Sequence, residues 1–468
     1  MGRLIPATAM AACLLALGTH RAAAEGGRVE MMSPLVLKPG EFYFRLGERP
    51  TFLLGRNPTG WQVEQFSRLF QWAGESGERI VRIHVMHGLT SRAAAGQVDD
   101  EWARRWELIF DQAAREGLYV LPVLGVWADW NDGGRGERWH SWHKNPFDAS
   151  NGGPAKTPSD LFQASECRQL WLRWLTEIVG RWQTRPNVMG WEVFSELDLV
   201  TGASESAALE FAECAAKAVR SADPQSRPVT ASLSGINEWP KLFGSPALDF
   251  IQAHPYADHP RFKGNLDELI LSSVRERLKR YGKAVFIGEG GLDSSPGQNS
   301  LILSPRADVA IRHAVWASLV SGAMNGRMLW WEDGYDQYMG FELRERRRHA
   351  AMPVARFVKD VDFTDFRPGD ALAPSALMGG AVGSKRVILG WFRDARCAAP
   401  DWPAQRVEGQ TVRLSVPGSA VPWSAEFCDP RTGAIVATQS LRCEEGQVRV
   451  LLPPFEESIA FRLSAGGP

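Results

Sequence analysis

Two stretches decide the fold: NVMGWEVFSELDL at 187–199 and AVFIGEGGLD at 284–293. Each is an apolar run of strand length that then ends in a carboxylate, Glu196 in the first and Glu289 in the second. Strands that stay apolar on both faces belong to parallel sheets covered on both sides. In a parallel barrel the C-terminal strand ends open onto one face, and reactive side chains gather there.

Working outward from these two, strand-like and helix-like segments alternate from about residue 50 to residue 360. The strand candidates are 51–55, 79–85, 119–127, 188–194, 227–233, 249–256, 284–290 and 327–331. Between them lie amphipathic stretches with apolar residues at helical spacing, such as Trp102–Ala114, Leu170–Trp182, Ala207–Val219 and Val309–Ala323. Eight apolar strands separated by helices predict an α/β fold, a (β/α)8 TIM barrel. A doubly wound open sheet is the rival, weakened because no Gly-rich phosphate loop follows any strand. After Pro368 the pattern changes to short β-like runs broken by Gly, Pro and Asp, which predict a small all-β sandwich. The expected organisation is a leader at 1–24, a barrel domain at 25–365 and a sandwich domain at 366–468, with the break inside 362–374.

The leader is read from Arg3, an apolar stretch from Ala7 to Leu17, and three alanines before Glu25. That is the build of a secretory signal peptide, too short to span a bilayer, and predicts a secreted or periplasmic protein with no membrane span. Net charge is −1 with both signs interleaved, which gives no reason to expect nucleic acid as a partner. Cys167, Cys214, Cys397, Cys428 and Cys443 follow the leader; Cys428 and Cys443 flank a turn and could bridge in an exported protein. No cysteine spacing resembles a zinc site.

Chemistry is concentrated in a few places. Two carboxylates facing one pocket are the equipment for glycosidic bond cleavage, and a retaining reaction needs them about 5–5.5 Å apart. Glu196 and Glu289, ending the fourth and seventh strands, can meet across a barrel mouth. Glu192 lies inside its strand and suits an ion pair within the barrel. The long segment 127–158 follows the third strand and carries four of the chain's 19 tryptophans, so it reads as a functional loop. Tryptophan stacks on the apolar face of a sugar ring as readily as it fills a core, so Trp127 and Trp130 are platform candidates. His140 and His143 in the same loop motivate a weaker metal-hydrolase reading without a fixed third ligand. Trp391, Trp402 and Trp423 leave a sugar-binding role open for the C-terminal region. His84 and His87 could border the site or be structural.

The motifs WEVFSELDL, QAHPY, FIGEGG and MLWW, in that order, resemble those of clan A of the glycoside hydrolases, and family 5 (cellulase- and mannanase-like proteins) above all. The likeness covers roughly residues 45–340. It implies a retaining hydrolase of β-glycosidic bonds in a cellulose- or mannan-like carbohydrate, with no cofactor and no metal. It also implies Glu196 as acid/base and Glu289 as nucleophile. Arg82 would lie beneath the nucleophile, unless it serves an ion pair elsewhere. Tyr256 would hydrogen-bond the nucleophile and His254 would touch substrate, a core His–Tyr pair being the plain alternative. Of Trp330 and Trp331, strand alternation would send one to a sugar platform and the other against helices. One residue departs from the pattern: Ser195 stands where clan A places an asparagine that holds the sugar 2-hydroxyl. That departure motivates the rival reading, a catalytically impaired carbohydrate-binding protein on the same barrel.

Overall fold

The computed structural model describes residues 32–59, 63–85, 93–133, 141–295, 297, 300–333, 347–416 and 422–466. Residues from Met32 onward form one compact unit. Eight parallel strands make the barrel wall: β1 (Leu53–Arg56), β2 (Ile80–His84), β3 (Tyr119–Val123), β4 (Trp191–Glu192), β5 (Val229–Thr230), β6 (Ile251–Ala253), β7 (Val285–Ile287) and β8 (Asn325–Arg327). Six of them pair in the order β8-β1-β2-β3-β4-β5, and β6 pairs with β7. Single backbone bonds close the two seams, Asp249 N to Val229 O at 2.9 Å and Met324 N to Val285 O at 3.0 Å. At the second seam the Asn325 side chain acts as a ladder rung: it accepts from Ile287 N at 2.8 Å and donates to Ile287 O at 3.0 Å.

Every residue of β2 and of β3 is buried, as expected for strands covered on both faces. The covering helices are α1 (Val63–Glu75), α2 (Asp100–Arg115), α3 (Ser165–Trp182), α4 (Glu205–Ala222), α5 (Pro240–Gly244), α6 (Leu266–Tyr281), α7 (Ala307–Ser321) and α8 (Met352–Val358). Their apolar stripes explain their placement: Trp102, Trp106, Ile109, Phe110 and Ala113 make the buried face of α2, and Asp99 caps its first turn. β8 ends at Arg327, short of the tryptophans expected within it. The Leu329–Trp331 run is apolar because of what it covers beyond the strand end.

The C-terminal region is all antiparallel β. One sheet runs Arg367–Gly369, Leu377–Gly383, Val387–Asp394, Ser458–Ala465, Trp423–Cys428, Ile435–Leu441; another runs Ala371–Leu372, Thr411–Ser415, Gln447–Leu451, Cys443–Glu444. Burial alternates along Thr411–Ser415 and Gln447–Leu451, the pattern of strands with one wet face. Cys428 and Cys443 therefore sit in different sheets, and all five described cysteines are free, so the bridge that the sequence left open is not formed. Trp391, Trp402 and Trp423 are at most 1 % exposed, which makes them core and not sugar platforms. Trp391 and Trp402 belong to the same apolar core as the barrel. Polar ties cross the same contact: Arg393 to Asp267 and Glu268, Arg306 and Arg312 to Glu457, and Trp316 Nε1 to Pro430 O. Among the described residues no helix is long and apolar enough to cross a membrane.

Candidate active site

At the C-terminal ends of the barrel strands lies a cleft of about 610 Å³, lined by Glu196, Glu289, Tyr256, His84, Trp127, Trp330 and Trp331 among others. Glu196 follows β4 in the left-handed conformation, φ 58° and ψ 56°. A non-glycine residue there is uncommon, and such strain concentrates where geometry is imposed by function. Neighbours hold it in place: Ser232 Oγ accepts from Glu196 N at 3.0 Å, and Leu197 N donates to Ser232 O at 3.1 Å.

Beneath the cleft, Arg82 on β2 organises three residues. Its Nε and Nη2 donate to the two oxygens of Glu192 at 2.6 and 2.8 Å. Nη1 donates to Glu289 Oε1 at 2.8 Å, and Nη2 also donates to Ser195 Oγ at 2.9 Å. Tyr256 OH donates to Glu289 Oε2 at 2.9 Å, so both oxygens of this carboxylate are held. His84 Nε2 lies 3.5 Å from Glu289 Oε1, and its ring tilts against Trp330 with centroids 4.9 Å apart. His254 Nδ1 stands 2.9 Å from Glu196 Oε1.

The two cleft carboxyls are pushed in opposite directions. Burial alone would raise Glu289, but His254, Arg82 and His84 together hold it well below the ordinary carboxylate range. Burial, and then the charge of Glu289, raises Glu196 against the pull of His254. Glu192 is also raised by burial but ends below its usual range because Arg82 outweighs it. His84 is lowered by burial and by Arg82. One oxygen each of Glu196 and Glu289, with a His254 ring nitrogen, lie within 4.8 Å of one another.

That trio is the one group among the described residues spaced to meet a metal ion. Its surroundings suit a cation poorly, since the oxygens of Glu289 already accept from a guanidinium and a phenol. Of the histidines in the loop after β3, His143 is exposed and His140 lies outside the described residues, as does His87.

Several sequence expectations meet this geometry differently. Arg82, Tyr256, Glu196 and Glu289 come together, and Trp127 lines the cleft. Both Trp330 and Trp331 line it too, because β8 has ended and strand alternation no longer sorts them. Trp130 is a correction: it is 3 % exposed and packs on Trp142 and Phe147 within its own loop. His254 is another, fully buried behind Glu196 and not facing substrate. Ser195 is a third, also fully buried, its hydroxyl taken by Arg82 and out of reach of a sugar. Sequence reasoning missed Asn57, whose Oδ1 is 3.4 Å from Arg82 Nη1 and whose Nδ2 donates to Gly288 O. It also missed the rim formed by Asp198, which accepts from Ser234 and Asn237. Its place directly after β1, on the face where the strand ends meet, is the signal that could have marked Asn57.

No family model matches this sequence, and no curated protein matches it significantly. Solved structures do. A glycoside hydrolase family 5 structure from Bacteroides vulgatus superposes with a TM-score of 0.61 at 14% identity, covering 92% of this chain and 93% of that one. The likeness is one of fold. A family 30 subfamily 8 xylanase from Clostridium acetobutylicum gives a TM-score of 0.53 at 13% identity, over 89% and 97% of the two chains. An endo-β-1,4-mannanase from Thermotoga petrophila gives 0.51 at 13% identity, over 88% and 97%. The match runs through both the barrel and the C-terminal β region, so the fold is similar to those structures over nearly the whole chain.

Proposed function

We propose that this protein is a retaining glycoside hydrolase that cleaves β-glycosidic bonds in a neutral, cellulose- or mannan-like carbohydrate. The observation that carries the reading is the pair itself: oxygens of Glu196 and Glu289 within 4.8 Å, one carboxyl raised and the other depressed. Retaining enzymes hold their carboxyl groups about 5–5.5 Å apart, whereas inverting ones leave about 6.5–9.5 Å for a water. Opposite shifts support the assignment of roles. Glu289, kept ionised by Arg82 and oriented by Tyr256, attacks the anomeric carbon. Glu196, the carboxyl raised by burial and by Glu289, gives its proton to the departing oxygen. It then takes a proton from the water that releases the sugar from Glu289.

Trp127, Trp330 and Trp331 offer flat faces for sugar rings. Among the described lining residues there is no Lys or Arg, while Glu196, Glu289 and Asp258 are acidic, which favours an uncharged glycan over an anionic one. The similar structures named as mannanase and xylanase support the same class of substrate. Export through the 1–24 leader and a division into 25–365 and 366–468 complete the proposal. The rival reading, binding without turnover, keeps the missing 2-hydroxyl contact at Ser195 as its motive, while the hydroxyl that is there holds Arg82 in place beneath Glu289.

The test is hydrolysis of mannan, cellulose, xylan and aryl β-glycosides by wild type and by Glu289→Gln. Turnover on at least one, lost in the variant, is expected; no turnover on any, with retained sugar binding, would favour the rival.

A further inference from the structure

Behind the cleft, Gln252 on β6 and His254 just past its end both bring their side chains against Gly288 in the barrel interior. They are 1 % and 0 % exposed. His254 directs Nδ1 at Glu196, but its Nε2 has no hydrogen-bond partner, nor has either atom of the Gln252 amide. Leaving one buried polar group unpaired costs about 1–3 kcal/mol, so three together call for an explanation.

These atoms face one another across Gly288, just past β7. A methyl group at Gly288 would stand 1.9 Å from Gln252 Oε1 and 2.7 Å from His254 Nε2. The two atoms are therefore no farther apart than the sum of those lengths. On its other side the Gln252 amide bears on Glu192, close enough to help hold that carboxylate ionised though short of a well-formed bond. Glu192 is an obligate acceptor, being ionised and bonded to Arg82. The amide must offer it N–H, which leaves the amide oxygen for His254.

We infer that Gln252 is a positioning residue: its amide oxygen accepts the Nε2 proton of His254, leaving Nδ1 as the nitrogen that shares a proton with Glu196 Oε1. A small rotation of the amide completes the chain Glu192–Gln252–His254–Glu196. In the neutral ring Nδ1 then accepts from the acid form of Glu196, in place of the donor bond by which His254 would lower that carboxyl. The inference rests on the glycosidase reading for its catalytic meaning but not for its geometry. The other charged and titratable groups around Glu196 and His254 are Glu289 just past β7, Asp198 after β4, Glu192 on β4, Arg82 and His84 on β2, and Tyr256 just past β6. All of them are kept in the test.

Gln252→Met keeps the shape and removes the acceptor. Nε2 then loses its partner, the proton moves to Nδ1, and Nδ1–H donates to the Glu196 carboxylate. The alkaline limb of kcat/KM should move down by about one pH unit, the size of one hydrogen bond to a carboxylate. The shift should appear with aryl glycosides of poor leaving groups and vanish with 2,4-dinitrophenyl glycosides, which need no proton from Glu196. An unmoved alkaline limb with poor leaving groups would overturn the inference. A second measurement does not depend on turnover or on the variant folding: ¹⁵N spectra of histidine-labelled wild type should show His254 protonated at Nε2. Protonation at Nδ1 alone would also overturn it. If wild type hydrolyses nothing, the glycosidase reading fails while the spectra still decide the role of Gln252.

Discussion

Two buried ion networks share this barrel, and they differ in the way that separates a site from a strut. The first, Arg82 with Glu192 and Glu289, lies inside the barrel and opens upward, and Glu289 and Glu196 keep 6 % and 10 % of their side chains exposed. The second lies in the wall by β1 and β8. Arg56 holds Glu78 at 2.8 Å, Arg327 approaches Glu78 at 3.5 Å and pairs with Asp333, and none of these side chains is more than 1 % exposed. Arg56 also donates to Arg348 O, so the second network ties the strands to the chain leading into α8. Asp333 is further fixed by Asn57 N and Leu329 N. Burial and charge are common to both. Only the first places two carboxyls of opposite protonation tendency against open space, and only there does a carboxylate have something to react with.

The comparison can be broken most severely at Glu289. Glu289→Gln should abolish nearly all turnover with an unchanged circular dichroism spectrum, since an amide cannot attack the anomeric carbon; wild-type rates would remove the first network from the chemistry. Glu196→Gln should lower kcat by about 10²–10⁴-fold on substrates with poor leaving groups, the usual range for general acid catalysis, and by much less on activated ones.

The arginines sharpen the contrast directly. Each of Arg82→Met and Arg56→Met strands buried carboxylates and should destabilise by about 3–5 kcal/mol in urea unfolding. Activity per folded molecule should collapse for Arg82→Met, which frees Glu289, and persist for Arg56→Met, which touches no cleft residue. Equal activity losses would mean that the wall network also shapes the cleft.

The smallest effect concerns Glu332, 3 % exposed beside Asp333 and Arg327 of the second network, with no hydrogen-bond partner for either carboxyl oxygen among the described residues. Burial, partly offset by Arg347, pushes its pKa up to about 7. A folded-state pKa above the unfolded value means that its stabilising share is complete below the ordinary carboxylate range and is lost as pH rises through about 7. Glu332→Gln should therefore gain a few degrees in Tm over wild type at pH 8 and little or nothing at pH 4. A gain independent of pH would mean that the carboxyl is not titrating in that window.

Much of this was legible in the chain, because parallel strands buried on both faces leave unbroken apolar runs and because Glu196 and Glu289 end two of them. Tyr256 and Arg82 were reachable through strand placement. Misplacements have physical reasons. β8 reads Asn325-Gly326-Arg327, a polar strand whose ladder is completed by a side chain, while the apolar Trp330-Trp331 beside it lines a cleft. Trp130 and Trp127 look alike in sequence, and only the fold of the loop buries one of them. Gln252 is a single polar residue in an apolar strand, and nothing local records that it faces His254 across a glycine.

The central claim is that Glu289 attacks carbon. The most direct measurement is incubation of the wild-type protein with activated 2-deoxy-2-fluoro β-glycosides of glucose, mannose and xylose, followed by peptide mass mapping. The account predicts a stoichiometric glycosyl adduct on the peptide carrying Glu289, formed as activity is lost. An adduct on Glu196 or elsewhere, or turnover of the natural glycan that forms no adduct and releases inverted product, would contradict it.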